Sequence, residues 1–386
     1  MLKVLSVFGT RPEAVKMAPV CRLLSQCPEI KSVCCVTGQH RDMLPPVLEQ
    51  FGIRPKYDLD IMEANQSLTA ITTKTLTGLE RILREEKPSI LLCHGDPSTA
   101  LAAALAAFYQ KIPVGHVEAG LRTYDRYSPY PEEINRTLVS RIAEYHFCPT
   151  RQNKANLLAE GVRGGIFVTG NTVIDAINQT VLPGYVFASP MLQRILDGQK
   201  ATVLVTAHRR ENYGGPLENI CRALLEITRL YPELQVVWPV HPSPNVRGTV
   251  YSLLRDQPRI YLTGPLDVQE MHQLMARCHF VLTDSGGLQE EAPALGKPVL
   301  VLRRETERPE ALDAGTVLLA GVEQENIVKL ARGLMDDPVL YERMVEAANP
   351  YGDGRAAERI LGYLLWKSGL RAEPPDEFGA ARDGGE

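Results

Sequence analysis

The sequence predicts an α/β fold of two parallel-sheet domains facing a cleft, and three observations carry that prediction. Short runs rich in Val, Ile and Leu recur along the 386 residues, most of them separated by amphipathic or Ala/Leu-rich stretches with helical spacing. The runs are continuously apolar rather than alternating, as strands are when both faces of a sheet are covered. There are twelve of them, at 3–8, 32–37, 90–94, 114–117, 145–148, 166–169, 202–206, 235–240, 260–263, 280–283, 298–302 and 317–320. That number suits two sheets of about six strands better than one.

Helical stretches at 13–25, 68–85, 98–109 and 216–230 fill spaces between the runs. The rhythm breaks in 171–200, where Leu182-Pro183-Gly184-Tyr185 reads as a linker. The expected division is therefore a Rossmann-like domain at 1–170 and a second at 171–354. The pattern 355–367 is a helix without a strand of its own, expected to pack back on the first domain. Residues 371–386 read as a flexible, solvated tail.

Composition narrows the function. A net charge of −4 gives no general attraction to nucleic acid or an anionic membrane, so an anionic ligand needs local positive charge. The opening run passes straight into Gly9-Thr10-Arg11-Pro12, without the long apolar core of a signal peptide. No apolar run approaches the roughly 20 residues of a membrane span. The eight cysteines lack metal or redox spacing and read as buried thiols of a cytoplasmic protein. No metal, no membrane and no nucleic acid are expected.

In parallel sheets ligands sit beyond the carboxyl ends of the strands. After the first run comes Gly9-Thr10-Arg11-Pro12-Glu13, a tight turn into a helix N-terminus that offers amides to an anion, with Arg11 and Lys16 adding charge. Asp96 follows the third run and Glu118 the fourth. Glu132 and Glu133 then occupy a first helical turn after Pro131. Each acid alone is adequately explained as a helix cap; three acidic elements converging from one domain point to chemistry. The second domain supplies His208-Arg209-Arg210 and His241 at strand ends, a setting suited to a phosphate leaving group. Thr283-Asp284-Ser285-Gly286-Gly287 runs from strand to helix. Its glycines permit close backbone approach to a diphosphate, and Glu291, one turn on, can accept ribose hydroxyls. Neither G-x-G-x-x-G with its acidic partner nor G-x-x-x-x-G-K-[ST] occurs, which argues against a nicotinamide dehydrogenase or a P-loop kinase.

Taken in order, Phe8-Gly9-Thr10-Arg11-Pro12-Glu13, Thr37-Gly38-Gln39-His40, Gly95-Asp96, His116-Val117-Glu118-Ala119-Gly120-Leu121-Arg122, Pro131-Glu132-Glu133-Ile134-Asn135-Arg136, His208-Arg209-Arg210-Glu211-Asn212, Asp284-Ser285-Gly286-Gly287-Leu288-Gln289-Glu290-Glu291, Glu307-Arg308-Pro309-Glu310 and Tyr351-Gly352-Asp353-Gly354 resemble the non-hydrolysing UDP-N-acetylglucosamine 2-epimerases. The resemblance covers about residues 1–367. It implies a GT-B type fold, a homodimer, no cofactor, a UDP-N-acetylhexosamine substrate and a place in cell-envelope polysaccharide biosynthesis. It also implies a route: elimination of UDP to a 2-acetamidoglucal, then re-addition with the C2 proton on the other face. On this reading Asp96, Glu118 and Glu132 are the acid/base groups and His208 assists UDP. Arg11, Lys16, Ser285, Gly286, Gly287, Glu291 and Arg308 map onto UDP binding.

Gln39, Gln66, Glu133, Arg209 and His241 match a second, allosteric substrate site of bacterial members, whereas Asp42 and Asn65 depart from its usual residues. Leu266 and Met271 stand where the family often carries a Gln and an aromatic near the uracil. The competing readings are a glycosyltransferase of the same fold, a hydrolysing epimerase and a non-catalytic UDP-sugar sensor.

Overall fold

The computed structural model describes residues 1–39, 43–63, 66–198, 200–306 and 308–380. His40, Asp42, Asn65 and Glu307, named above, and 381–386 of the expected tail lie outside the described residues.

Contacts divide the chain into two units, Met1–Ala176 together with Tyr351 onward, and Ile177–Pro350. The division falls inside the helix Thr172–Thr180 and ahead of Tyr351, not at 170/171 and 354/355. Asp175 is the physical reason. Its carboxylate accepts from the N–H groups of Ala356 at 3.1 Å and Ala357 at 2.8 Å, capping the helix Ala356–Lys367 from a distant part of the chain. That helix sets Tyr363 against Tyr145, Phe147 and Phe167.

The first unit holds seven parallel strands: β1 (Leu2–Phe8), β2 (Ile30–Val36), β3 (Tyr57–Asp58), β4 (Ile90–His94), β5 (Val114–Val117), β6 (Tyr145–Cys148) and β7 (Ile166–Val168). Their order is β3-β2-β1-β4-β5-β6-β7. The second unit holds β8 (Ala201–Thr206), β9 (Leu234–Pro239), β10 (Ile260–Thr263), β11 (Phe280–Thr283), β12 (Val299–Val301) and β13 (Val317–Leu319), also parallel, in the order β10-β9-β8-β11-β12-β13. Strand order reverses between β1 and β4 in one sheet and between β8 and β11 in the other. Each sheet thus has a switch point, where the chain diverges to either side and leaves a crevice for a ligand. The twelve predicted runs all form strands. The two-residue β3 has no sequence pattern to announce it.

Local chemistry explains the helices that frame these crevices. Arg11–Gln26 begins with a capping box: Thr10 Oγ1 accepts from Glu13 N–H while Glu13 Oε2 accepts from Thr10 N–H at 2.8 Å. Ser98–Tyr109 is rich in Ala and packs between Leu68–Glu86 and Glu132–Ile142, small side chains allowing close approach. In the second unit Trp238, Phe280 and Leu282 are fully buried beneath Gly215–Leu230. Burial of such side chains contributes roughly 1.5–3 kcal/mol each.

Residues 371–380 are mostly exposed, as a solvated tail is, but Glu377 and Phe378 are tied to the first sheet. Phe378 N–H donates to Val168 O at 2.9 Å, Val168 N–H donates to Glu377 Oε1 at 3.1 Å, and Lys154 Nζ pairs with Glu377 at 2.8 Å. The segment thereby satisfies outward backbone groups of β7, the edge strand that would otherwise present them unpaired. No helix among the described residues is long and apolar enough to cross a membrane.

Gly120 and Gly161 separate two costs of adding a side chain. Both have positive φ, +91° and +76°, but a Cβ on Gly120 would lie 2.2 Å from Asn153 O, whereas one on Gly161 meets nothing within 4 Å. Gly120→Ala is expected to destabilise the protein by about 2–4 kcal/mol and Gly161→Ala by about 1 kcal/mol, measured by chemical unfolding.

Candidate active site

At the carboxyl ends of β1, β4 and β5 the first unit encloses a cavity of about 360 Å³, with Glu13, Lys16, Gln39, His94, Asp96, Glu118 and Glu132 in its lining. Glu118 leaves β5 in the left-handed region, φ +64°, a conformation that costs a non-glycine residue roughly 1–2 kcal/mol and is held by its surroundings. Those surroundings converge on one oxygen. Lys16 Nζ pairs with Glu118 Oε2, Asn171 Nδ2 donates to it at 3.1 Å, and His94 Nε2 lies 3.7 Å away.

Asp96 is held differently. Arg136 pairs with its Oδ2 at 2.7 Å and Asn135 Nδ2 donates to its backbone carbonyl at 2.9 Å. Burial pushes its carboxyl up to about 6; Arg136 opposes that shift, while Glu118 and Glu132 reinforce it. Glu132 opens the helix Glu132–Ile142, as the Pro-Glu-Glu pattern predicts. Its neighbour Glu133 turns away to accept from the N–H groups of Thr123 at 3.1 Å and Tyr124 at 3.0 Å, fixing the preceding loop. Glu13 is buried so completely that its carboxyl is raised to about 7, against the opposing effect of the Thr10 hydroxyl and the Gly9 and Thr10 amides.

The second unit builds its crevice on Asp284, wholly buried after β11. Its Oδ2 accepts from the N–H groups of His208 and Arg209, both at 2.8 Å, and from Asn212 Nδ2 at 3.0 Å. One carboxylate therefore shapes the loop leaving β8. His208 Nδ1 lies 3.4 Å from Asp284 Oδ1, and its ring stacks on His241 with centroids 5.2 Å apart. Burial lowers the His208 pKa, Asp284 partly opposing and His241 and Arg209 reinforcing that direction. Beside it the helix Gly286–Ala294 starts at Ser285-Gly286-Gly287. The Ser285 N–H donates to Thr283 Oγ1 at 2.9 Å, so what Ser285 can offer a ligand is its hydroxyl. A Cβ on Gly287 would stand 3.2 Å from Glu291 Oε1, so the glycine keeps room for that carboxylate. Glu291 Oε2 lies 3.5 Å from His272 Nε2. No group of three or more His, Cys, Asp or Glu among the described residues could hold a metal ion.

Residues 22–365 match the sequence profile of the family described as UDP-N-acetylglucosamine 2-epimerase. The chain belongs to that family. Its fold, two Rossmann-like parallel-sheet units, is of the GT-B type. The UDP-N-acetylglucosamine 2-epimerase of Bacillus subtilis (strain 168) is 52% identical over 98% of this chain and 98% of its own. A crystal structure of UDP-GlcNAc 2-epimerase from Neisseria meningitidis bound to UDP-GlcNAc is 48% identical, with TM-score 0.85 over 94% of this chain and 100% of that one. An S. aureus MnaA–UDP co-structure is 46% identical, with TM-score 0.89 over 98% of this chain and 100% of that one.

For a member of this epimerase family, the expected site residues fall into two groups. Lys16, Gln39, Asp96, Glu118 and Glu132 share the cavity of the first unit. His208, Arg209 and His241 gather at the end of β8. Arg11 begins the helix Arg11–Gln26, half-buried, without lining that cavity. Gln66 stands apart, and its Oε1 is buried without a partner among the described residues. Lys16, expected at UDP, is paired with Glu118, and Arg308, also expected there, forms a buried ion pair with Glu290.

The sequence motifs contain Asp284, Glu13 and Glu290 without giving them a role, and His94 falls unnoticed at the end of the run 90–94. Asp284 carried a usable signal, an acid directly before Ser-Gly-Gly where a helix cap would ordinarily suffice.

Two expectations follow from this geometry. Asp284→Ala leaves two backbone amides and the Asn212 amide without their acceptor, and should cost about 3 kcal/mol or more in calorimetry. Glu13→Gln tests buried charge. The folded Glu13 titrates near 7 against an ordinary 4.5, so the protein loses stability as pH rises through that window. The variant's advantage should grow from near zero below pH 4.5 to about 3 kcal/mol above pH 7 in urea unfolding.

Proposed function

We propose that this chain interconverts UDP-N-acetylglucosamine and UDP-N-acetylmannosamine by eliminating UDP and re-adding it across a 2-acetamidoglucal. The observation that carries the reading is the convergence of Asp96, Glu118 and Glu132 on one cavity. C2 of the sugar has no adjacent carbonyl to acidify its proton, so departure of the diphosphate must drive much of the step. A carboxylate takes the C2 proton as the C1–O bond breaks. The bonding pair of that bond leaves on UDP, and C1 and C2 become doubly bonded. In the return step a second acid delivers a proton to the opposite face of C2, the C1–C2 π pair forms the new C–H bond, and the UDP oxygen rebonds to C1. Two faces require more than one acid/base group.

The environments of the candidates support a division of labour. Glu118 is paired with Lys16, which favours the carboxylate and hence the base. Asp96 is lifted towards neutrality by burial, which suits a group that carries a proton. Charge developing on the leaving diphosphate falls to His208, the Ser285 hydroxyl, the amides of Gly286 and Gly287 and the cations Arg11 and Arg308, with Glu291 on the ribose. Gln39, Gln66, Glu133, Arg209 and His241 serve a second, activating substrate site. Action as a homodimer in the cytoplasm belongs to the same reading, and its support is the family resemblance.

Proton NMR of UDP-N-acetylglucosamine with the protein in deuterated water tests the proposal. Deuterium should enter C2 as UDP-N-acetylmannosamine forms, with no stoichiometric free UDP. A sugar that stays protonated at C2 overturns the reading in favour of a transferase or a sensor, and UDP release matching turnover indicates hydrolysis. Glu118→Gln should abolish exchange while UDP affinity changes less than about threefold.

A further inference from the structure

His94 is the last residue of β4, and only 3% of its surface is exposed. Neither ring nitrogen has a hydrogen-bond partner among the described residues, although the imidazole lines the cavity that holds the three carboxylates. A buried imidazole left unpartnered is costly, and in a folded protein such a group calls for an explanation. Its Nε2 lies 3.7 Å from Glu118 Oε2, just beyond hydrogen-bond reach, so a small rotation of either side chain would close the gap.

The donors and acceptors around Glu118 give this proximity a use. Lys16 Nζ and Asn171 Nδ2, both set on Oε2, can only donate, an arrangement suited to an ionised carboxylate. Once Glu118 has taken the C2 proton it carries an O–H, and neither of those groups can accept it. A neutral imidazole can. We propose that His94 is a positioning residue whose unprotonated ring nitrogen accepts the hydrogen bond of Glu118 in its protonated state, holding the neutral acid in place once it has taken the C2 proton. The proton stays on Glu118, and His94 is neither charged nor consumed.

The surroundings keep His94 in the form this role needs. Burial holds its pKa down at about 4. Lys16, from the helix Arg11–Gln26, pushes the same way, and Glu118, at the end of β5, opposes. His116, on β5, is itself held neutral by burial at about 3, and its Nε2 is engaged with Gly95 O at 2.7 Å. Glu13, Asp96 and Glu132 are the other titratable groups of the cavity lining. The imidazole is thus an acceptor throughout the neutral range.

The inference rests on Glu118 being an acid/base group, and the experiment separates the two. His94→Leu removes the acceptor at similar size, and His94→Gln restores one through its amide oxygen. Epimerisation kinetics are followed from pH 5.5 to 9, with thermal unfolding of each variant. His94→Leu should lower kcat roughly 10- to 100-fold, the range for a buried donor deprived of its acceptor, with KM within about twofold. It should also move the acidic limb of the kcat profile to lower pH, because the protonated acid is no longer favoured. His94→Gln should recover most of both effects. Wild-type kcat profiles in both variants overturn the inference, as does an equal loss in both with the limb unmoved, which would mark a structural role only. If His94→Leu does not fold, His94→Met replaces it in the same comparison. Glu118→Gln is the control. If it retains C2 exchange, the role given to Glu118 fails; if it loses exchange while the His94 variants match the wild type, only the present inference fails.

Discussion

The contact between Lys16 and Glu118 is the interaction around which the carboxylate crevice is organised. Four acids brought to one small cavity repel one another, and a protein interior offers little solvent to relieve them. Lys16 and Arg136 divide the work of neutralisation, one on Glu118 and one on Asp96. Two cations are set against four carboxyl groups, Glu13 included, and burial pushes the Asp96 and Glu13 carboxyls upwards. Carboxylates sharing a site in this way titrate together rather than one by one. Burying the Lys16–Glu118 pair is itself costly, so its value lies in setting charge state and aim more than in net stability.

Asp284 plays the complementary part in the second unit. It also is a buried acid at a strand end, but one of its oxygens, Oδ2, is spent on two backbone amides and on Asn212. The same residue type at a strand end is thus held by backbone amides in Asp284, and by side-chain cations in Glu118 and Asp96. This is why strand-end acids are ambiguous in a sequence, and why their partners, distant along the chain, decide between the two.

Fold class was legible because buried parallel strands are short and wholly apolar, a pattern that survives without any contact information. β3 escaped because two residues carry no period. Asp96, Glu118 and Glu132 were legible as strand-end or helix-start acids, and the structure brings them to one cavity. The pairing of Lys16 with Glu118, and of Arg308 with Glu290, was hidden because each joins separate elements. His94 was hidden for the opposite reason. An apolar run ending in His looks like a core residue, and its unpartnered nitrogens appear only when the neighbours are in place. Residues 371–380 read as solvated because their composition is polar, yet a polar segment is well suited to satisfy the open edge of β7.

The first unit is assembled from two distant stretches of one chain, and that has a consequence for its biosynthesis. About 180 residues separate Ala176 from the helix that Asp175 caps. At ribosomal speeds of about 5–20 residues per second, that helix arrives roughly 10–40 s after the rest of its sheet. During that interval Asp175 lacks the amides it will accept from, and the β7 edge is bare of the segment that will cover it. The second unit, continuous in sequence, can complete itself first. The nascent protein is therefore expected to pass through a state in which the carboxylate-bearing half waits, open-edged, for its closing piece.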